Sequence, residues 1–182
     1  LGFGKSPKPN DVDYSGSLWK EQVVAYVKEV IQKPTVIVGN SLGGYAALAA
    51  GAELNELSAG VILLNAAGYF SEEKLIKKSI FRTSLETVAG IFLKNVVLQR
   101  LIFENMRKPN NIRKTLNQVY INKKNVDDDL VNSIRNPSLD IGAFNVFRSV
   151  FNPSGPQGEP LDLLFKKLTC PLLLLWGSKD PW

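Results

Sequence analysis

A serine between two glycines is the feature of this 182-residue sequence that points most directly to chemistry. Gly39-Asn40-Ser41-Leu42-Gly43 has the form G-x-S-x-G, which places a serine on a tight turn from a strand into a helix. This pattern predicts Ser41 as a nucleophile, with the backbone N–H of Leu42 as a donor to an oxyanion. Small residues are expected at Gly39 and Gly43, because larger ones would clash in so tight a turn. The alternative is a glycine-rich connection with an incidental serine.

A serine hydroxyl needs a base, usually His, which a carboxylate orients. The sequence contains no His. Asp180 is the candidate acid, because it follows an apolar run predicted as a strand and lies downstream of Ser41. The alternative role for Asp180 is to cap the turn Ser178-Lys179-Asp180-Pro181. Either the chemistry uses no His, or the base lies outside this stretch.

The absence of His also bears on metals and cofactors. It removes the commonest zinc ligand, and the single cysteine, Cys170, lies in an apolar run typical of a buried packing thiol. Neither G-x-G-x-x-G nor a Gly-Lys-Ser/Thr phosphate loop is present. The sequence therefore predicts no metal site and no bound cofactor.

Composition excludes several classes of protein. With 45% hydrophobic and 21% charged residues, the chain is an ordinary globular one, neither collagen-like nor disordered. The net charge of +5 comes from basic residues that alternate with acidic ones, which favours a solvated surface over a nucleic-acid site. The most apolar stretch, 91–103, contains charged residues and falls short of the ~20 residues that span a bilayer, so no transmembrane segment is expected. The oligomeric state is not predicted.

The elements around the serine predict an α/β fold. Helical spacing of apolar residues runs over 18–32, and β-branched or apolar runs at 35–38 and 61–64 predict strands buried on both faces. Between these strands, 43–50 is rich in small helix-forming residues. Strand, helix and strand in this order form a βαβ unit with a right-handed crossover, and hence a parallel sheet.

The rest of the chain divides by pattern. Residues 71–152 show helical patterns without a comparable strand, which indicates a helical insertion. A Gly/Pro-rich loop follows, then a short helix and a third buried strand at 172–176. The predicted organisation is an α/β core over 1–70, a helical cap over 71–152 and a second part of the core over 153–182.

Three stretches resemble the α/β-hydrolase fold family, and more narrowly its plastid and cyanobacterial branch of pheophytinase-like hydrolases. They are 1–9 (LGFGKSPKP), 38–45 (VGNSLGGY) and 170–182 (CPLLLLWGSKDPW), and the segment 125–131 (NVDDDLV) is also similar. The resemblance implies a mostly parallel sheet with helices on both faces and an inserted cap. It also implies Ser41 as nucleophile, the Leu42 N–H as oxyanion donor and Asp180 as acid, cleaving a lipophilic carboxylic ester through an acyl-enzyme.

The resemblance also implies what lies outside this stretch. The family's first strands, with the second oxyanion donor, would precede Leu1, and the His base would follow Trp182. We therefore expect a fragment that is inactive and poorly stable alone, from a parent protein in a plastid or the cytoplasm. Two alternatives remain open: a non-catalytic homologue that acts as a binding module, and the same triad used for C–C bond hydrolysis or acyl transfer.

Apolar residues of the predicted cap have two alternative roles. They line a pocket for an acyl or phytyl-like chain, or they form the core that holds the cap together, as apolar periodicity usually indicates. They are Ile91, Phe92, Leu93, Val96, Val97, Leu98, Leu101, Ile102 and Phe103.

Overall fold

A computed structural model describes residues 1–71, 95–151 and 158–180. The chain divides into two compact units, each formed from separate segments. The first comprises Leu1–Tyr14, Ser84–Gly155 and Pro181–Trp182, and the second comprises Ser15–Thr83 and Pro156–Asp180. The N-terminal residues, which the sequence analysis assigned to the core, thus group with the helical segment.

The described helices and strands follow one another along the chain as the pattern of the sequence predicts. They are α1 (Gly16–Tyr26, continued by a π-helical turn at Val27–Ile31), β1 (Thr35–Asn40), α2 (Leu42–Leu54), β2 (Ser58–Leu64), α3 (Val96–Met106), α4 (Pro109–Val119), α5 (Asp128–Arg135), α6 (Ala143–Phe151), α7 (Leu161–Lys167) and β3 (Leu172–Leu175).

The second unit is built on a three-stranded sheet in the order β1-β2-β3. Both pairings are parallel, with Ile37 opposite Val61 and Leu63 opposite Leu174. The chain passes from β1 through α2 to the neighbouring β2, so the predicted βαβ unit and parallel sheet are confirmed. Because the strands are parallel, the residues that follow all three lie at the same edge of the sheet.

Helix α2 packs closely on this sheet because its central residues, 43–51, are glycine or alanine except for Tyr45 and Leu48. Residues 44–51 are all buried, and Leu48 and Ala50 have no exposed surface. At Gly51 an added Cβ would lie 2.4 Å from Cγ2 of Val61, so the helix and β2 approach too closely for a larger residue. The core of this unit joins α2 to Val24, Ile37, Val61 and Leu164, among other buried residues.

The strands are less buried than the sequence analysis predicted. Along β1, burial alternates: Ile37 is buried, whereas Val36 and Val38 are 51% and 56% exposed. All four leucines of β3 are also exposed. The prediction of burial on both faces is therefore wrong for β1 and β3 within the described chain. In β1 only the face that carries Ile37 is covered, whereas both faces of β3 are exposed.

The first unit contains α3 to α6, in agreement with the helical pattern of this segment. Two helices begin at side-chain caps: Asn95 accepts hydrogen bonds from the N–H groups of Val97 and Leu98, and Asp127 accepts one from Leu130. Phe103 packs between other aromatic rings, 5.6 Å from the centroid of Phe144 and 5.2 Å from that of Phe147.

The apolar cap residues singled out above have unequal surroundings. Ile91, Phe92 and Leu93 lie outside the described residues. Phe103 is buried, but Val97 and Leu101 are 70% and 61% exposed, so the interpretation of this set as a packed core holds for Phe103 and not for its neighbours on α3. In the ranges that the structure describes, no helix combines the length and apolar character needed to cross a membrane.

Candidate active site

Ser41 occupies the turn between β1 and α2 with a strained backbone. Its φ of 51° and ψ of −121° lie outside the regions that residues with a side chain normally adopt. The residue is exposed, and it stands directly before the first residue of α2. A serine kept in a conformation that costs of order 1–3 kcal/mol is typical of a functional position held by the surrounding structure.

The glycines of the turn carry unequal steric constraints. A Cβ at Gly39 would lie 2.1 Å from the carbonyl oxygen of Gly43, which the backbone could not accommodate. At Gly43 an added Cβ would meet no described atom within 4 Å, whereas at Gly44 it would lie 2.6 Å from Cβ of Ala66. The close approach therefore requires glycine at Gly39 and Gly44, and the packing of the described residues does not explain Gly43.

The backbone of Ser41 is held by the loop that follows β2. Its N–H donates to the carbonyl oxygen of Leu64 at 3.2 Å, and its carbonyl oxygen accepts from the N–H of Ala67 at 2.9 Å. The side-chain amide of Asn40 donates to the same Leu64 oxygen at 2.9 Å. These bonds from a neighbouring strand fix the conformation of the turn from outside it.

Leu42 is the first residue of α2, so its N–H belongs to the group that has no partner within the helix. The carbonyl oxygen of Ser41 accepts from the N–H groups of Gly44 and Tyr45, at 2.9 and 3.2 Å, and so closes the first turn behind Leu42. The positive end of the helix dipole lies at this point. A negative charge that develops beside Ser41 would be stabilised there.

Asp180 ends the turn that follows β3. Its N–H donates to the carbonyl oxygen of Gly177 at 3.1 Å, which closes the turn. Its carboxylate accepts a hydrogen bond from the side-chain amide of Asn65, which follows β2. The side chain is thus tied to a neighbouring strand, a contact that a carboxylate serving only to cap its own turn would not make.

The structure therefore places Ser41 and Asp180 after the ends of β1 and β3, at one edge of the sheet with β2 between them. Asn65 follows β2 at that same edge, and sequence reasoning missed it. The criterion that identified Asp180 also applies to Asn65, since Asn65 is a polar residue placed directly after an apolar strand.

Among the residues that the structure describes, no three His, Cys, Asp or Glu side chains are placed so that they could hold a metal ion together. Cys170 is half-buried, and its Sγ lies 3.1 Å from the hydroxyl oxygen of the buried Ser58. This contact assigns the thiol a packing role between β2 and β3. The chemistry available at the sheet edge is that of a serine hydroxyl, a helix N-terminus and a carboxylate.

The sequence matches the alpha/beta hydrolase fold family over residues 1–182. It is 31% identical over 192 residues to pheophytinase, chloroplastic, of Arabidopsis thaliana, covering 100% of this chain and 39% of that protein. It is 24% identical over 181 residues to lipase 1 of Psychrobacter immobilis, covering 99% of this chain and 52% of the lipase.

Solved structures agree in fold. The crystal structure of a probable hydrolytic enzyme from Pseudomonas aeruginosa PAO1 superposes with a TM-score of 0.69 at 18% identity, covering 100% of this chain and 55% of that one. This similarity concerns the fold alone. The chain thus spans between 39% and 55% of the length of these three proteins.

Proposed function

The chain belongs to the alpha/beta hydrolase fold family, and from that premise we propose that it carries the nucleophile and the acid of a serine hydrolase that cleaves a carboxylic ester. Similarity to a pheophytinase and a lipase supports a hydrolase. The assignment of Ser41 and Asp180 as the nucleophile and the acid rests on the geometry of the sheet edge.

The observation that carries the proposal is the backbone of Ser41. An incidental serine in a loop would relax to an unstrained conformation, yet Ser41 keeps a positive φ. Its N–H donates to the carbonyl oxygen of Leu64, and its carbonyl oxygen accepts from the N–H groups of Gly44, Tyr45 and Ala67. Glycine, which adopts this conformation without strain, does not occupy the position. A side chain retained at a position where backbone strain lowers the stability of the protein is best explained by a function of that side chain.

The proposed reaction proceeds in two steps. The hydroxyl oxygen of Ser41 attacks the ester carbonyl and transfers its proton to a base, while the N–H of Leu42 stabilises the negative carbonyl oxygen. The C–O bond to the alcohol then breaks, the base protonates the alcohol, and an acyl-serine remains. Water deprotonated by the same base attacks the acyl group and releases the acid, which regenerates the hydroxyl.

The base must come from outside these 182 residues, because they contain no His. Asp180 would orient this base and stabilise its positive charge, as the acid of a triad does. We propose that the second oxyanion donor also lies outside them, as the family resemblance implies. The proposal therefore concerns the whole protein that carries this chain, and tests of activity require the complete reading frame.

A lipophilic substrate is the class that we propose for this site. The similarity to a lipase supports it. The chloroplast location named for the Arabidopsis relative supports a plastid as the proposed location.

Active-site labelling tests the proposal. A fluorophosphonate probe reacts with an activated serine, so incubation with the complete protein followed by peptide mapping should find the probe on Ser41. Ser41→Ala should abolish labelling and ester turnover, and an exposed-serine control, Ser17→Ala, should preserve both. A folded protein that labels at another serine, or does not label, would contradict the proposal. A panel of esters and diketones distinguishes ester hydrolysis from C–C bond hydrolysis.

A further inference from the structure

We infer that Asn65 is a positioning residue that holds Asp180 at the sheet edge through its side-chain amide. This inference rests on the proposed function, because it assigns Asn65 a role in orienting the acid of that site. Asn65 follows β2, the strand that lies between the strand preceding Ser41 and the strand preceding Asp180.

Three hydrogen bonds tie Asn65 to β3 and the turn after it. Its backbone N–H donates to the carbonyl oxygen of Leu175 at 3.0 Å, and its side-chain oxygen accepts from the N–H of Gly177 at 3.2 Å. Its side-chain NH₂ donates to Oδ2 of Asp180. The amide therefore contacts both ends of the short turn from Gly177 to Asp180, and it orients the carboxylate relative to the backbone that carries it.

The backbone of Asn65 explains why this residue type suits the position. Its φ is +45°, in the left-handed region where Asn and Asp are enriched among residues with a side chain. Asp would keep the backbone conformation and the acceptor for Gly177, but it would lose the donor to Asp180. Gly would keep the backbone conformation alone. These two residues separate the role of the donor from that of the turn.

The same segment links the acid to the nucleophile. The carbonyl oxygen of Leu64 accepts from the N–H of Ser41, and the next residue donates to Asp180. Displacement of the Asn65 amide would therefore alter the position of the acid relative to a serine that the adjacent carbonyl holds. A role in positioning predicts an effect on kcat, because orientation of the base matters in the transition state more than in substrate binding.

The experiment compares Asn65→Asp and Asn65→Gly in the complete protein, with kcat, KM and thermal unfolding measured for each. Asn65→Gly should lower kcat about tenfold, the effect of losing one hydrogen bond to a charged group. Asn65→Asp should lower kcat at least as much, because its carboxylate also repels that of Asp180, and both variants should leave KM within about twofold. Asn65→Asp should unfold within a few degrees of the parent, because it keeps the left-handed turn and the Gly177 contact. In an Asp180→Asn background, assayed with a sensitive fluorogenic ester, Asn65→Gly should change the residual kcat less than about twofold.

Two results would overturn the inference. One is a wild-type kcat for Asn65→Asp, and the other is an equal loss of kcat from Asn65→Gly with and without the carboxylate at position 180. Ser41→Ala and Asp180→Asn, assayed in parallel, test the proposed function separately. If Ser41→Ala abolishes turnover and Asp180→Asn leaves only a small residual kcat, while the Asn65 variants do not affect kcat, only the positioning role fails. If Ser41→Ala retains activity, the proposed function itself fails.

Discussion

The N–H of Ser41 donates to the carbonyl oxygen of Leu64 at 3.2 Å, so the end of one strand holds the turn that follows its neighbour. This bond relates the nucleophile to the rest of the sheet edge, because the residue after Leu64 contacts Asp180. The strained turn is thus part of a hydrogen-bonded edge formed by residues after all three strands. We expect substitutions that disturb the turn to lower both the stability and the activity of the protein.

Gly39→Ala and Gly43→Ala should have opposite outcomes, although the sequence pattern treats the two glycines alike. A Cβ at Gly39 would lie 2.1 Å from a backbone oxygen, so Gly39→Ala should destabilise the protein by several kcal/mol, in the range of severe single substitutions above ~4 kcal/mol, or prevent folding. Gly43 lies in α2 and no described atom lies within 4 Å of the Cβ position, so Gly43→Ala should be neutral or stabilise by up to ~1 kcal/mol.

Urea unfolding followed by tryptophan fluorescence measures both variants. Similar midpoints for Gly39→Ala and the parent would show that the turn is not as tight as the structure places it. A large loss of stability for Gly43→Ala would instead show that glycine is required at this position for steric reasons, as the sequence pattern predicts.

Ser41→Gly should be more stable than Ser41→Ala. Glycine adopts a φ of 51° without strain, whereas alanine keeps the clash of its Cβ with the backbone, a difference of roughly 1–2 kcal/mol. Both variants remove the hydroxyl, so both should be inactive, and the comparison isolates the strain from the chemistry. Equal free energies of unfolding would mean that Ser41 is unstrained and would remove the main support for its functional role.

Tyr45 should make the stability of the second unit sensitive to alkaline pH. Its buried hydroxyl donates to the carbonyl oxygen of Glu159 at 3.2 Å and accepts from the N–H of the same residue at 2.7 Å. Burial raises the pKa of this hydroxyl above its usual value. The folded state therefore retains the proton at a pH where the unfolded chain loses it, and the stabilisation declines as pH rises from about 10 through the raised pKa.

Tyr45→Phe tests this expectation, because phenylalanine cannot ionise. At pH 7 the variant should be less stable by about 1 kcal/mol, having left the backbone groups of Glu159 without the hydroxyl. Above pH 10 the difference from the parent should shrink. Tyr26→Phe is the control for loss of an exposed hydroxyl, since Tyr26 is 58% exposed. A stability difference for Tyr45→Phe that is constant from pH 7 to pH 11 would contradict the assignment.

The sequence was sufficient to predict the elements that position the site. The β-branched run before Ser41, the small residues after it and the apolar run near 61–64 predict strand, helix and strand, and the structure forms them with the parallel pairing expected. The turn at Ser41 follows from the same local pattern. These features depend on residues close together in the chain, which is why periodicity and glycine spacing indicate them.

Features that depend on distant contacts were not predictable in the same way. The prediction that the strands are buried on both faces was wrong for Val38 and for β3. An apolar run does not indicate whether another element covers the strand. The need for glycine at Gly44 arises from its approach to Ala66 on the loop after β2. Asn65 acquires its contact with Asp180 only when three strands are placed side by side.

The role of Ser41 as the nucleophile can be tested by trapping the acyl-enzyme, the covalent product of its attack on the ester. The complete protein is mixed with a p-nitrophenyl ester, quenched in acid during turnover, digested and analysed by mass spectrometry. We expect an added acyl mass on the peptide that contains Ser41. In Ser41→Ala we expect neither the adduct nor turnover of the ester. Steady hydrolysis of the ester by Ser41→Ala, with the acyl group on another residue or on none, would contradict the assignment of Ser41 as the nucleophile.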